Sequence, residues 1–264
     1  MTARRAYADV AHGQIHVVTA GDSGPWVVLL HESPLSWRVY EPAIEPLAQH
    51  FRVMLPDTPG YGGSTPGERS WEVPDYAAAL LVAVRQTVGD EPFIVLGCHT
   101  GASIALEVAR QAEGQARGAV FLGLPAYDPE TRADRLAHWA PDKAVSPDGS
   151  HLADMWDRYT RIWDAPPLAA KNRAVLDALG ALEHYNWGYN AAFRYDPVPA
   201  LVALGIPVLF LTAEHDALAD ADRRCAEMIG ARLVELPGLP GQIGVRAPQR
   251  LADELRTFAT TLDA

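Results

Sequence analysis

The sequence predicts an α/β architecture: a mostly parallel central sheet with helices on both faces, interrupted by an inserted helical lid. Three observations carry this. Short apolar runs alternate with helical segments of about 10 to 15 residues. A turn of small residues, "GCHTG" at 97–101, joins one apolar run to a helix. A proline-punctuated, aromatic stretch then breaks the rhythm. The division that follows is a first part of the core over 1–124, a lid or cap insertion over 125–204, and a second part of the core over 205–264.

"QIHVVTAG" (14–21) alternates and ends in the turn signal "GDSGP", as a hairpin strand does. "WVVLL" (26–30) is a continuous apolar run, suited to a strand buried on both faces. "YEPAIEPLAQHF" (40–51) reads as a helix, with Ile44 and Leu47 on one face, and "FRVMLPD" (51–57) as the next strand, closed by "DTPGYGGSTPG". A periodic helix spans 75–88, a buried strand 92–97, a helix 101–112 and a further strand 116–125. The rhythm returns with a strand in "IPVLFLTAEHD" (206–216), then "DADRRCAEMIG", "ARLVELPG" and the final helix "PQRLADELRTFATTL".

The 264 residues, 48% hydrophobic and 21% charged, suit one globular domain with a sizeable core. A formal charge of −11 repels phosphate backbones and anionic lipid, which argues against nucleic-acid or membrane partners. The N-terminus carries two arginines with no apolar stretch behind them, and no window approaches a membrane span. The two cysteines, Cys98 and Cys225, are expected to stay reduced. A cytoplasmic protein is expected, its oligomeric state open, a homodimer included.

Four segments line up in order: "VVLLHESPLSW" with His31, "VMLPDTPGYGGST" with Asp57, "IVLGCHTGASIALEVA", and "VLFLTAEHDALAD" with Asp216. Together they resemble the α/β-hydrolase superfamily. That resemblance implies an α/β-hydrolase fold in which a sharp strand-to-helix turn exposes a nucleophile, flanked by small residues two positions either side. Gly97 and Gly101 hold those flanks here, so His99 sits at the apex where a serine is usual. Cys98 lies one position early and reads as a buried small residue. The family's base histidine belongs in "LPGLPGQIGVRAPQR", yet no histidine follows His215, and Gln242 stands about where it would fall. Asp216 occupies the acid position, bonded to Gln242 or left as a relic. The backbone N–H groups of Ser33 and Thr100 are the implied oxyanion donors. His31 is expected to brace that loop. Glu32, where glycine is usual, is either a solvated carboxylate or a partner of His99. His31, Gln242, Trp37, Tyr127, Trp156, Tyr185 and Tyr189, the last two expected on one helix face, are candidate pocket residues. No HxxxH or HxH pair exists, so no metal site is expected.

An acyl-serine mechanism needs a hydroxyl at the apex and a base beside it, and this chain offers neither. The expected catalytic set is His99, Asp216 and Glu32. The leading expectation is cofactor-independent general acid/base chemistry by His99 on a hydrophobic or aromatic carbonyl compound: cyclisation, elimination, isomerisation or carbon–carbon cleavage. Hydrolysis of an activated ester or lactone, with His99 as water-activating base or nucleophile, is the alternative. A non-catalytic binding protein is the third.

Overall fold

The sheet grows outward from strands buried on both faces, and its apolar runs pair as parallel neighbours. The computed structural model describes residues 3–68 and 71–262; Met1, Thr2, Arg69, Ser70, Asp263 and Ala264, at the ends of the outer core segments and in one loop, lie outside them. In chain order the elements are β1 (Arg4–Val10), β2 (Gly13–Ala20), β3 (Trp26–Leu30), α1 (Glu41–Ala48), β4 (Arg52–Pro56), α2 (Val73–Val88), β5 (Phe93–Cys98), α3 (Thr100–Gln111) and β6 (Ala116–Leu122). Then come α4 (Pro129–His138), α5 (Ser150–Ile162), α6 (Leu168–Gly180), α7 (Trp187–Arg194) and α8 (Pro197–Val202). The chain finishes with β7 (Val208–Ala213), α9 (Ala219–Ile229), β8 (Arg232–Leu236), α10 (Ile243–Arg246) and α11 (Pro248–Thr261).

The eight strands lie in the order β1-β2-β4-β3-β5-β6-β7-β8. All neighbours from β4 to β8 are parallel, while β1 and β2 extend the sheet antiparallel. Period-two alternation splits β3 between two layers: Val28 and Leu30 pack with α2, α3 and α9, while Val27 and Leu29 pack with α1 and α11. Strand β1 has no counterpart in the apolar reading. Its "RRAYADV" is exposed at all positions but buried Ala8 and half-buried Val10, and it is held by backbone pairing at the sheet edge, so no hydrophobic period announces it. The short α10 was likewise hidden in a glycine-rich loop, and the strand expected to reach 125 stops at Leu122.

Five helices, α4 to α8, stand between β6 and β7. Met155, Tyr159, Ala174, Val175, Ala178 and Tyr185 give this insertion an apolar cluster of its own, closed by Leu35 from the core. Tyr61 ties it down: its hydroxyl accepts from Gly188 N–H at 2.6 Å and donates to the His184 carbonyl at 3.1 Å.

Between β5 and α3 the backbone turns so tightly that side chains are excluded. A Cβ on Gly97 would lie 2.2 Å from the Gly101 carbonyl oxygen, and one on Gly101 would lie 2.3 Å from that of Leu30. His99 between them adopts φ 49°, ψ −115°, a conformation L residues adopt only under constraint. Gly101→Val therefore drives a branched side chain into the β3 backbone. The expected result is a loss of about 1–3 kcal/mol or more of unfolding free energy by urea titration; an unchanged midpoint contradicts this account of the turn.

Candidate active site

In a parallel sheet the carboxyl ends of the strands point the same way, and loops leaving them converge. The loops after β3, β5, β6 and β7 bring Glu32, His99, Gly123 and Asp216 together. His99 Nε2 lies 3.1 and 3.0 Å from the two carboxylate oxygens of Asp216. Asp216 is itself fixed by the Leu218 N–H, donated to Oδ1 at 2.8 Å. The acid after β7 thus pairs with the apex residue. It does not pair with Gln242, whose Oε1 accepts instead from Arg246 Nε at 3.0 Å.

The other ring nitrogen of His99, Nδ1, faces Glu32 Oε2 at 3.7 Å. Glu32 is buried, and the Cys98 thiol donates to Oε2 at 3.0 Å. Cys98 therefore touches the site where the sequence suggested only packing. Burial first, then Glu32, pushes its thiol well above the usual range, so it stays protonated and acts as a donor. Burial alone would lower the His99 imidazole. Asp216, Glu32 and Asp222 together outweigh that, and the group rises to about 10. Asp216 shows the reciprocal effect: burial raises its carboxyl, but His99 prevails and holds it below the ordinary aspartate value. With a value of about 10 the His99 ring carries its proton at neutral pH, the acid form of the expected acid/base group.

Glycine at 123 lets the ring sit where it does: with φ 76°, its Cβ position lies 2.5 Å from His99 Cδ2. The bend after β6 is held by Asp222, fully buried on α9, which accepts from Gly123 N–H at 2.9 Å and Leu124 N–H at 2.8 Å. Burial, with Asp216 adding, moves Asp222 up to about 7 against those hydrogen bonds. Sequence reasoning passed over this residue. Its signal was an acid at an apolar-face position of "DADRRCAEMIG", between buried Leu218 and Cys225.

The two expected oxyanion donors differ. Thr100 N–H opens α3, where a helix has no internal acceptor for it. Ser33 N–H is already engaged, donating to Thr100 Oγ1 at 2.6 Å. His31 does not line the cleft. It is buried and braces the loop, Nε2 accepting from Thr58 N–H at 2.9 Å and Nδ1 lying 3.0 Å from the Glu32 carbonyl.

The expected pocket walls separate into two groups. Trp37 lines an outer groove with Arg5, Glu41 and Ile44, and Trp156 stacks under Lys171 between α5 and α6. Neither reaches His99 in the contacts described. Tyr127, Tyr185 and Tyr189 do belong to one aromatic wall, with Phe193 completing it. Tyr185 precedes α7, so the expected shared helix face is instead a ring contact at 6.0 Å. Small cavities of about 10 Å³ lie beside Glu32, Cys98 and Gln242 and beside Asp216, each room for about one water.

Folding also assembles a donor set that spacing conceals. Ligand atoms of Glu32, Cys98 and His99 all lie within 4.8 Å of one another, a carboxylate–sulfur–imidazole set that would take a cation only on loss of the protons from the thiol and the ring. The expectation of no metal site rested on local histidine spacing, which does not register a carboxylate 66 residues before the cysteine. Among the described residues no helix is long and apolar enough to cross a membrane.

A model of the alpha/beta hydrolase fold matches residues 25–238. The pimeloyl-[acyl-carrier protein] methyl ester esterase of Xanthomonas campestris pv. campestris is 35% identical over 250 residues, covering 90% of this chain and 88% of that protein. The biotin biosynthesis bifunctional protein BioHC of Cellvibrio japonicus is 28% identical over 260 residues, 90% of this chain; the chain spans 48%, about half, of that relative's length. The crystal structure of E-2-(acetamidomethylene)succinate hydrolase superposes with a TM-score of 0.80 at 21% identity, covering 98% of this chain and 100% of that one.

The His99–Asp216 pair makes a titration prediction. The folded-state value lies above the ordinary 6.5, so the stability it contributes is fully present below about 6.5 and is lost as pH rises through about 10. Followed by NMR, the His99 ring protons should titrate near 10 in the wild type and return toward 6.5 in Asp216→Asn. A wild-type midpoint near 6.5 would overturn the assignment of His99 as a resting imidazolium.

Proposed function

Because the chain belongs to the α/β-hydrolase family, whose matched relatives include hydrolytic enzymes, we propose that it is a hydrolase of an activated ester or lactone that works without an acyl-serine. The observation that carries this reading is the orientation of His99: Nε2 is spent on Asp216, and Nδ1 is turned toward Glu32. A charged imidazole held this way is an acid and an oxyanion partner, and the carboxylate 3.7 Å away is the base.

The steps follow from that division of labour. Water beside Glu32 gives a proton to its carboxylate and adds its oxygen to the substrate carbonyl carbon. The oxyanion that forms is held by His99 Nδ1–H and Thr100 N–H. Collapse expels the alcohol, which recovers a proton from Glu32, and the carboxylic acid leaves with the carbonyl restored. Asp216 keeps His99 charged and oriented throughout. Cys98, donating to Glu32, fixes the carboxylate that must face the water.

The same pair can move a proton from the carbon beside a carbonyl, Glu32 taking it and His99 Nδ1–H holding the enolate. This second reading, isomerisation or elimination, is favoured by the apex having no nucleophile, and differs from the sequence expectation in making Glu32 the base.

A panel of activated esters and lactones tests the proposal. Turnover should fall about 100-fold or more in both His99→Gln and Glu32→Gln, and a serine-directed fluorophosphonate should leave no serine labelled. Serine labelling, or wild-type turnover in His99→Gln, would sink it. Deuterium exchange from solvent into a bound ketone, with no ester cleaved, selects the second reading.

A further inference from the structure

Two arginines of the insertion are held by aromatic rings and not by carboxylates. Arg52, Arg110, Arg132, Arg173, Arg194, Arg223, Arg232 and Arg250 each meet a carboxylate. Arg135 and Arg158 form no ion pair among the described residues. Both instead stack on Trp139, Arg135 at 4.3 Å from the ring centroid and Arg158 at 5.4 Å. Each also covers a tyrosine of the aromatic wall, Arg135 over Tyr127 at 5.8 Å and Arg158 over Tyr185 at 5.7 Å. Tyr127, Phe193, Tyr189 and Tyr185 follow one another in ring contacts of 6.0 to 6.2 Å, so the two guanidinium groups and Trp139 close a circuit with that wall.

Stacking occupies the face of a guanidinium and leaves its in-plane N–H groups to be satisfied. In Arg158 Nε and Nη2 are buried and meet no acceptor in good hydrogen-bond geometry, although its charge lies close enough to the hydroxyls of Tyr185 and Tyr189 to pull both phenols down against burial. Buried donors are normally paired, and two guanidinium N–H groups without an acceptor, beside a hydroxyl that can also donate, describe a place for an anion. The wall connects this place to the site. Asp216 is close enough to Tyr127, and Glu32 close enough to Tyr189, to raise their phenols beyond the effect of burial. Because the unpaired atoms are buried, a flat macromolecular surface does not reach them, and a small ligand is the occupant they suit.

We infer that the cleft takes an anionic small molecule, its carboxylate or equivalent oxyanion seated on Arg158 and Tyr185, with Arg135 adding charge and the aromatic wall holding its apolar body. This deepens the reading of the site above by naming the substrate class, and it rests on that reading only in placing the reacting carbonyl at His99. Anion binding itself needs no turnover.

Calorimetric titration of the full chain with 3-phenylpropionate and with its neutral amide tests this. The acid should bind about tenfold or more tightly than the amide. Arg158→Gln should abolish that preference, and Arg158→Lys should not restore it, because a lysine lacks the planar fork. Tyr185→Phe, which keeps the ring and removes only the hydroxyl, should lessen the preference and guards against a misfolded arginine variant. Phenyl phosphate identifies the group: tighter binding than the carboxylate assigns a phosphate, weaker binding a carboxylate. Equal affinity for acid and amide, no binding of either at millimolar concentration, or a preference untouched by Arg158→Gln overturns the inference. His99→Gln should keep the preference while losing turnover. Loss of ester turnover alone counts against the hydrolytic reading, and loss of the anion preference alone counts against this one.

Discussion

A carboxylate set against an imidazole in a water-poor cleft governs the chemistry of this molecule. Asp216 reaches His99 Nε2 with both oxygens in range, and with Glu32 and Asp222 it more than offsets the cost of burying the charged ring. The proton is therefore held, the ring is oriented, and its second nitrogen is committed to one direction. A serine at the apex would need a separate base to become reactive. An imidazolium at the apex arrives already charged, and the neighbours that matter become those able to accept a proton. Glu32 is such a neighbour, and the thiol beside it keeps it in place.

Much of the fold exists to bring those two groups to one point. The apex conformation at His99 is enforced by two glycines whose Cβ atoms have no room. The strand beside it ends in a third, Gly123, whose bend is fixed by Asp222 through two backbone N–H groups. Asp222 acts on the site without touching the ring by any hydrogen bond: it sets the floor against which the imidazole lies, and its charge adds to the negative surroundings of His99. Four strand ends and one helix are thus tied to the placement of a single side chain.

The strands that carry the site were legible because each is an apolar run closed by a turn, and a continuous run has one stable home, the middle of a parallel sheet. "WVVLL" spans 26–30 in sequence and in structure alike. The apex was legible because glycines two positions either side of a residue after a strand have a steric reason that spacing reveals. Contacts across the sheet were not. Whether Asp216 meets Gln242 or His99 depends on how two loops lean, and Gln242 was drawn away by Arg246 four residues on. The occupied Ser33 N–H, the Cys98–Glu32 bond and the buried Asp222 are long-range meetings of polar atoms, which have no period to read. The aromatic wall shows the same limit: composition announced ring-rich sequence in the insertion, yet Trp37 and Trp156 face elsewhere while Phe193 joins Tyr127 and Tyr189.

The threonine hydroxyl that accepts the Ser33 N–H at 2.6 Å has a consequence for selectivity. It is a placeholder acceptor, built into the protein and supplied by the residue next to the apex. A neutral ester carbonyl arriving at that N–H exchanges one uncharged acceptor for another and gains little by doing so. An oxygen bearing a full negative charge is a stronger acceptor and displaces the hydroxyl with profit. On the proposed hydrolytic reading the N–H is thereby reserved for a carbonyl oxygen that has become charged, and it would add to the donors of His99 and Thr100 only in the transition state. On that reading a side-chain rotation at Thr100 would serve as a gate opened by charge, and selectivity would follow less the shape of the molecule that enters than how far its reaction has gone.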